Sequence, residues 1–315
     1  VVATDENNRF SYILPIEGDT TATVYAVDDS GVKSQAVEVK IVYDTTAPSI
    51  TYDDESSETG RSFRTVSGKL SEPGEVMING TVVPADENLS FSYKVPLEFG
   101  ENNIRIQARD IAKNASMPQD FKIVRNVVDT ANITAKRVTD NFVYDGDVSD
   151  WDLTYYCDKL YFGNIDNDIA FGLMWDDEYL YVGVDVEDSF LFFENEGSID
   201  NDCIEFYIDG DNSKKSPYDD NDAQFCYVPN IKHYLAGDVY KFKITEKGYS
   251  MEARFKLSDF GITPKAGTVF GFEIDCCDND QLQMTGKRDG VLGFNADSDS
   301  WRDTSKFSNA TLIEK

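Results

Sequence analysis

Carboxylates dominate the residues of this chain that can do chemistry. They cluster as Asp145 with Asp147, Asp185 with Glu187 and Asp188, Asp200 with Asp202, Asp209 with Asp211, and Asp219-Asp220-Asn221-Asp222. Loops of this kind suit calcium, which takes roughly six to eight hard oxygens from carboxylates, amides and backbone carbonyls. None of the clusters has EF-hand spacing, and a solvated acidic surface is the simpler use of such groups. Carboxylate pairs also serve glycoside hydrolysis, but each acid here is accounted for as surface or as a calcium ligand. His233 is the single histidine, and no Ser, Cys or metal motif surrounds it. Met174 and Met251 lie in strand-like runs and read as core, not as haem ligands. No catalytic residue is therefore expected. The five cysteines are Cys157, Cys203, Cys226, Cys276 and Cys277, an odd count that leaves at least one unpaired.

The elements that position these groups are strands. The chain is rich in Tyr, Phe, Val, Ile and Thr, which fit pleated, half-buried surfaces, and no stretch shows a helical apolar period. Its 315 residues fit two or three modules. Lys plus Arg number 29 and Asp plus Glu 58, so the net charge is 29 − 58 = −29. Such a surface repels phosphate backbones and anionic lipid, which argues against nucleic acid as a partner. No apolar run is long enough for membrane insertion. The chain opens Val1-Val2-Ala3-Thr4-Asp5 with no initiator Met or leader, so a targeting segment is expected to be absent or removed.

An internal repeat organises the first part. Val1 to Tyr12 reappears as Val82 to Tyr93 with eight of twelve positions identical, and Pro15, Ala26 and Asp28 match Pro96, Ala108 and Asp110. Tandem copies of one supersecondary unit follow. The complete copy spans 47–128 after the proline-marked joint Asp44-Thr45-Thr46-Ala47-Pro48. It holds alternating runs at Phe63 to Leu70, Glu75 to Ile78, Leu89 to Val95, Asn103 to Ala108 and Gln119 to Val124. Glu72-Pro73-Gly74, Asn79-Gly80 and Phe99-Gly100-Glu101-Asn102 supply the turns. This describes a small antiparallel sandwich. Gly68, Asn79-Gly80, Phe91, Val95-Pro96-Leu97, Gly100-Glu101-Asn102, Ile104, Ala108, Asp110, Ala112 and Asn114 resemble bacterial Ig-like repeats, which act as spacers. Residues 1–46 correspond to the C-terminal half of such a unit, so an exposed sheet edge and apolar face are expected there.

From 129 to 315 the texture changes. Asp145-Gly146-Asp147 with Trp151 opens the region, and Leu173 to Val182 follows with Trp175-Asp176-Asp177-Glu178-Tyr179-Leu180. Asp202 to Asp209 comes next, then Asp222-Ala223-Gln224-Phe225, Gly248 to Ala253, Gly271 to Ile274 and Ser300 to Phe307. In this order the segments resemble a family 9 carbohydrate-binding module. The expected fold is therefore all-β: antiparallel β-sandwich modules in tandem, Ig-like spacers followed by the family 9-like sandwich. Within Cys203 to Asp209, alternation sends Ile204, Phe206 and Ile208 to the core and Cys203, Glu205 and Tyr207 to an outward sheet face. Phe270, Phe272 and Ile274 likewise read as core, with Glu273 and Asp275 opposite. Trp175 and Trp151 read as structural.

The resemblance implies a non-catalytic region of a bacterial multimodular protein, secreted or attached to the cell surface. It would tether its companion modules to plant or cell-wall polysaccharide or oligosaccharide. Family members hold the terminal sugar between two tryptophans. One falls on Trp301, at a rim; the other falls on Ile199. Glu205 matches a polar ligand, and Gln224, Tyr207 and Lys287 complete the implied sugar-binding set. Cys226 stands where a basic residue usually follows, and Ser298 also departs from the pattern. The implied site is weak, and a structural or adhesive module with a degenerate sugar site is the competing reading. The family's structural calcium would fall on Asp145, Asp147, Asp188 and Asp202. The resemblance also makes Cys203 and Cys226 near neighbours and the only candidate bridge among otherwise free thiols. Adjacent Cys276 and Cys277 face opposite ways.

Overall fold

The structure is a computed structural model that describes residues 1–52, 58–195, 199–229, 239–281 and 286–315. His233 lies outside the described residues. Contacts divide the chain into two compact units. One comprises Val1–Asp54, Val66–Tyr93 and Ile104–Phe121; the other comprises Glu55–Thr65, Lys94–Asn103 and Lys122–Lys315.

The repeat is visible as hydrogen bonding. Asp5 Oδ1 accepts from the N–H of Asn7 at 2.9 Å and Arg9 at 2.8 Å; Asp86 Oδ1 accepts from Asn88 and Ser90, both at 2.8 Å. The residue before each closing position, Asn8 and Leu89, has a left-handed φ of 58° and 64°. A second turn repeats too. Asp28 Oδ1 bonds the Val32 N–H at 2.9 Å, as Asp110 Oδ1 bonds that of Asn114 at 2.8 Å. These carboxylates hold the turns by accepting local backbone donors. Around the first copy Thr20–Val24 and Val37–Ile41 pair as strands, and Phe10, Tyr12, Val37 and Val39 are exposed.

Every alternating run between 63 and 125 forms a strand. Ile50–Tyr52, Phe63–Leu70 and Ser90–Pro96 make a three-stranded sheet. Glu58–Thr59, Gln119–Arg125, Gly100–Asp110, Gly74–Ile78 and Thr81–Pro84 make a five-stranded one. Val66, Val76, Ile78, Phe91, Ile104, Ile106 and Ile123 are buried, and they alternate along their strands with less buried positions.

Beyond residue 131 the strands join into one folded-over β-structure. Asn132–Arg137, Asp168–Trp175, Tyr179–Glu187, Gly248–Lys256 and Tyr240–Ile244 run side by side. So do Asp222–Tyr227, Cys203–Asp209, Val269–Asp278, Gly290–Gly293 and Lys159–Gly163, with Ser308–Ile313 joining Asn132–Arg137 to Val269–Asp278. A single core contains Phe171, Trp175, Val182, Val184, Ile204, Phe206, Ile208, Tyr249, Met251, Phe270, Phe272 and Ile274. Trp175 is 1% exposed and its indole N–H reaches the Ile313 carbonyl at 2.9 Å. Trp151 lies over Gly183, where an added Cβ would meet the ring at 2.4 Å, and it donates to Glu252 Oε1 at 2.9 Å. Both tryptophans are structural. The sandwich is all-β, with one short 3-10 turn at Leu257–Phe260.

One expectation fails here. The face carrying Cys203, Glu205 and Tyr207 is not outward: the whole Cys203–Asp209 strand is buried. Cys203 and Cys277 pack with Val228, Val291, Tyr161 and Phe193, so loops cover this face as the core covers the other. Glu273 and Asp275 are buried with them.

Candidate functional site

Strand pairing brings the polar residues of this covered face together. Across one edge of Cys203–Asp209, Glu205 lies opposite Cys226 and Tyr207 opposite Gln224. Across the other edge, Cys203 lies opposite Cys277, Glu205 opposite Asp275 and Tyr207 opposite Glu273. Gln224 Nε2 donates to Glu205 Oε1 at 2.6 Å. Arg288 Nη1 reaches Glu205 Oε2 at 3.5 Å and Cys277 Sγ at 3.0 Å. The hydroxyls of Tyr161 and Tyr207 both donate to Asp275 Oδ2, at 2.6 and 2.9 Å. Burial, and then the Glu205 charge beside it, hold the Asp275 carboxyl well above the usual carboxylate range. Burial likewise lifts Glu273 to about 7.

An aromatic chain leads from this lattice to Trp301. Tyr207 packs against Phe307 with ring centroids 5.8 Å apart, and Phe307 meets Tyr218 at 6.4 Å. The Tyr218 hydroxyl donates to the Ser300 carbonyl. Trp301 follows at 55% exposure, with the Arg302 guanidinium 5.1 Å from its ring centre. Ile199 is also exposed. Thus Glu205, Tyr207 and Gln224 share one face, and the residue before the exposed Trp301 is tied to it through Tyr218 and Phe307. Lys287 departs from expectation: its ammonium pairs with Asp200 Oδ2 at 2.9 Å, and its neighbour Arg288 is the cation at Glu205. The sequence reading missed Arg288, Tyr161 and Asp275. Strand register, not spacing, brings Asp275 opposite Glu205, and Arg288 comes from outside the strands, before Gly290–Gly293.

The expected metal set is split. Asp145, exposed, and Asp147, half-buried, pair with Lys243 at 3.1 and 3.2 Å. Both Asp202 oxygens are engaged, by the N–H of Phe192 at 2.5 Å and of Asn279 at 2.7 Å. Asp188 instead meets Asp166, Asp278 and Asp280, whose ligand oxygens all lie within 4.8 Å of one another. Asp278 is 1% exposed, and neither of its oxygens has a partner among the described residues. Asp188 Oδ2, Asp166 Oδ1 and Asp280 Oδ1 are orphaned likewise. Burial first, and then the neighbouring carboxylates, raise Asp278 to about 8; burial raises Asp188 to about 7. The Lys94 ammonium, 2.8 Å from the Asp166 carbonyl, offsets the upward shifts of Asp188 and Asp280 only in part. Orphaned hard oxygens converging from three segments of the chain fit a calcium ion.

A two-layer sandwich carrying aromatic and planar polar groups on one face defines a carbohydrate-binding module. The model of the family described as "Carbohydrate family 9 binding domain-like" matches residues 145–315, and the chain belongs to that family. It is 36% identical over 149 residues to endo-1,4-beta-xylanase A of Thermotoga maritima, covering 45% of this chain and 14% of that protein. It is 33% identical over 150 residues to exoglucanase XynX of Acetivibrio thermocellus, covering 45% of this chain and 13% of that one. The chain thus spans only a small part of the curated relatives it matches. A family 9 carbohydrate-binding module from Caldicellulosiruptor kristjanssonii, solved with glucose, aligns with a TM-score of 0.50 and 26% identity. The alignment covers 58% of this chain and 96% of that one.

Proposed function

We propose that the family 9 region binds a polysaccharide or oligosaccharide of plant or cell-wall origin without acting on it. In this reading it tethers the other modules of an extracellular protein to that polymer. One observation supports this: Glu205, Gln224 and Arg288, planar polar groups of the kind that fix sugar hydroxyls, meet one another on one face, and Trp301 offers an exposed indole next to Ser300, whose carbonyl that face's aromatic chain holds. Pyranose rings stack their C–H faces on such rings. Trp301 has no aromatic counterpart at Ile199, so binding is weak. Titration with glucose, cello-oligosaccharides and xylo-oligosaccharides tests it. Trp301→Ala should lose about 1–3 kcal/mol of binding, as for other stacked rings, with an unchanged melting temperature because the ring is exposed. If the variant binds as wild type does, the site lies elsewhere.

A second reading, a structural or adhesive module without sugar, is favoured by the burial of Glu205 and the use of both its oxygens within the protein. No ligand in the titration would leave it standing.

We also propose a structural calcium ion at Asp166, Asp188, Asp278 and Asp280. Equilibrium dialysis of the chelator-treated chain should show calcium uptake that Asp278→Asn abolishes. Uptake unaffected by that change would remove the assignment.

A further inference from the structure

Three thiols line the covered face on three neighbouring strands. Cys203 stands opposite Cys277. Cys226, opposite Glu205, is the diagonal neighbour of Cys203 across the other edge. The Cys226 and Cys203 sulfurs are 3.4 Å apart. Cys157 and Cys276 belong to the apolar core on the opposite side.

We propose that Cys203 and Cys226 are a redox-active dithiol that closes to a disulfide by exchange with a small-molecule disulfide. The sulfurs need to approach by only about 1.4 Å to reach the bond length near 2.05 Å. Access sets the order of events. Cys226 is half-buried and Cys203 has no exposed surface. The Cys226 thiolate therefore attacks the reagent, the reagent's S–S bond breaks, and one small thiol leaves with the Cys226 proton. The Cys203 sulfur then attacks Cys226 Sγ in the mixed disulfide. The second small thiol departs with the Cys203 proton. Two protein thiols are oxidised by two electrons, and one small disulfide is reduced to two thiols.

Cys277 is the competitor, since it stands directly across from Cys203. Its sulfur also hydrogen-bonds Cys203, but Arg288 Nη1 donates to it at 3.0 Å and it faces Glu205 Oε2 at 3.5 Å, contacts that a bridge to Cys203 would break. The bridge would tie the strand carrying Glu205 to the strand carrying Gln224. It is independent of whether a sugar binds there.

The test is to incubate the full chain with oxidised glutathione at mildly alkaline pH, quench, denature and titrate thiols. The titre should fall from five by two. Non-reducing peptide mapping should join the peptide containing Cys203 to the one containing Cys226. Cys277→Ser should still form the bridge, and Cys226→Ser should lose no thiol. Three results overturn the proposal: a titre that stays at five, a wild-type protein that stops at a glutathione adduct on Cys226, or a link that runs through Cys277. Because the mapping is done on wild type, a variant that fails to fold does not remove the test.

Discussion

Trp175 and Trp301 are the same side chain in opposite situations, and substitution should separate them. Trp175→Ala opens a cavity in a packed core and removes a bond to the Ile313 carbonyl. It should cost about 3–5 kcal/mol in denaturant unfolding, whereas Trp301→Ala should cost almost nothing there. Glu273 gives a pH test. Its carboxyl is buried, with Oε1 accepting from the N–H of Ile274 at 3.0 Å and Asn295 at 2.8 Å. Its folded value is about 7 against an ordinary 4.5. A raised carboxyl contributes stability that is fully present below the unfolded value and is lost as pH rises through the folded one. The loss is about 3 kcal/mol at most. Glu273→Gln keeps the acceptor and removes the titration. It should match wild type in urea at about pH 5 and exceed it at about pH 8; a constant difference would refute the assignment. At this scale the sequence revealed the buried Trp175, because it closes a recognisable strand run, whereas Trp301 lies in a turn between strands. It did not reveal Arg288, which lies outside the strands, before Gly290–Gly293, and meets Glu205 only through the fold. Nor did it reveal the partners of Asp188, which lie as far along the chain as Asp280.

Strands were legible wherever one face is buried and the other wet. Phe63–Leu70 and Gln119–Arg125 begin where alternation begins. The rule misled at Cys203–Asp209, because that strand is covered on both sides and its polar members point into a hydrogen-bonded lattice, not into water. The turns of the repeat carry the same information in a different form, and they permit a paired experiment. Asp110 is buried and both its oxygens serve Asn114, at 2.8 Å each. Asp28 holds the equivalent turn by bonds of 2.9 Å to Ser30 and Val32 but is exposed. Asp110→Ala should cost about 1–3 kcal/mol by stranding buried donors. Asp28→Ala should change stability by less than about 0.5 kcal/mol. Equal losses in thermal unfolding would mean that the turn itself, not its burial, carries the energy.

For the whole molecule, a net charge of −29 means self-repulsion, which any salt relieves by screening. Calcium should do something narrower. A ligand that binds only the folded state stabilises it in proportion to the logarithm of its concentration over its dissociation constant, and only in the unit that holds the site. The Asp166, Asp188, Asp278 and Asp280 cluster lies wholly within the unit that contains Lys122–Lys315. The other unit has its own acidic group, Asp44, Glu72 and Asp110, with ligand oxygens within 4.8 Å of one another. There both Asp110 oxygens already accept from Asn114, unlike those of Asp278. Calorimetry of the chelator-treated chain should therefore show sodium chloride raising every transition together. Micromolar to millimolar calcium should raise only the transition of the family 9 region. Asp278→Asn should remove the calcium response and keep the sodium one. If magnesium or added sodium reproduces the calcium shift, screening explains it and the cluster holds no specific ion.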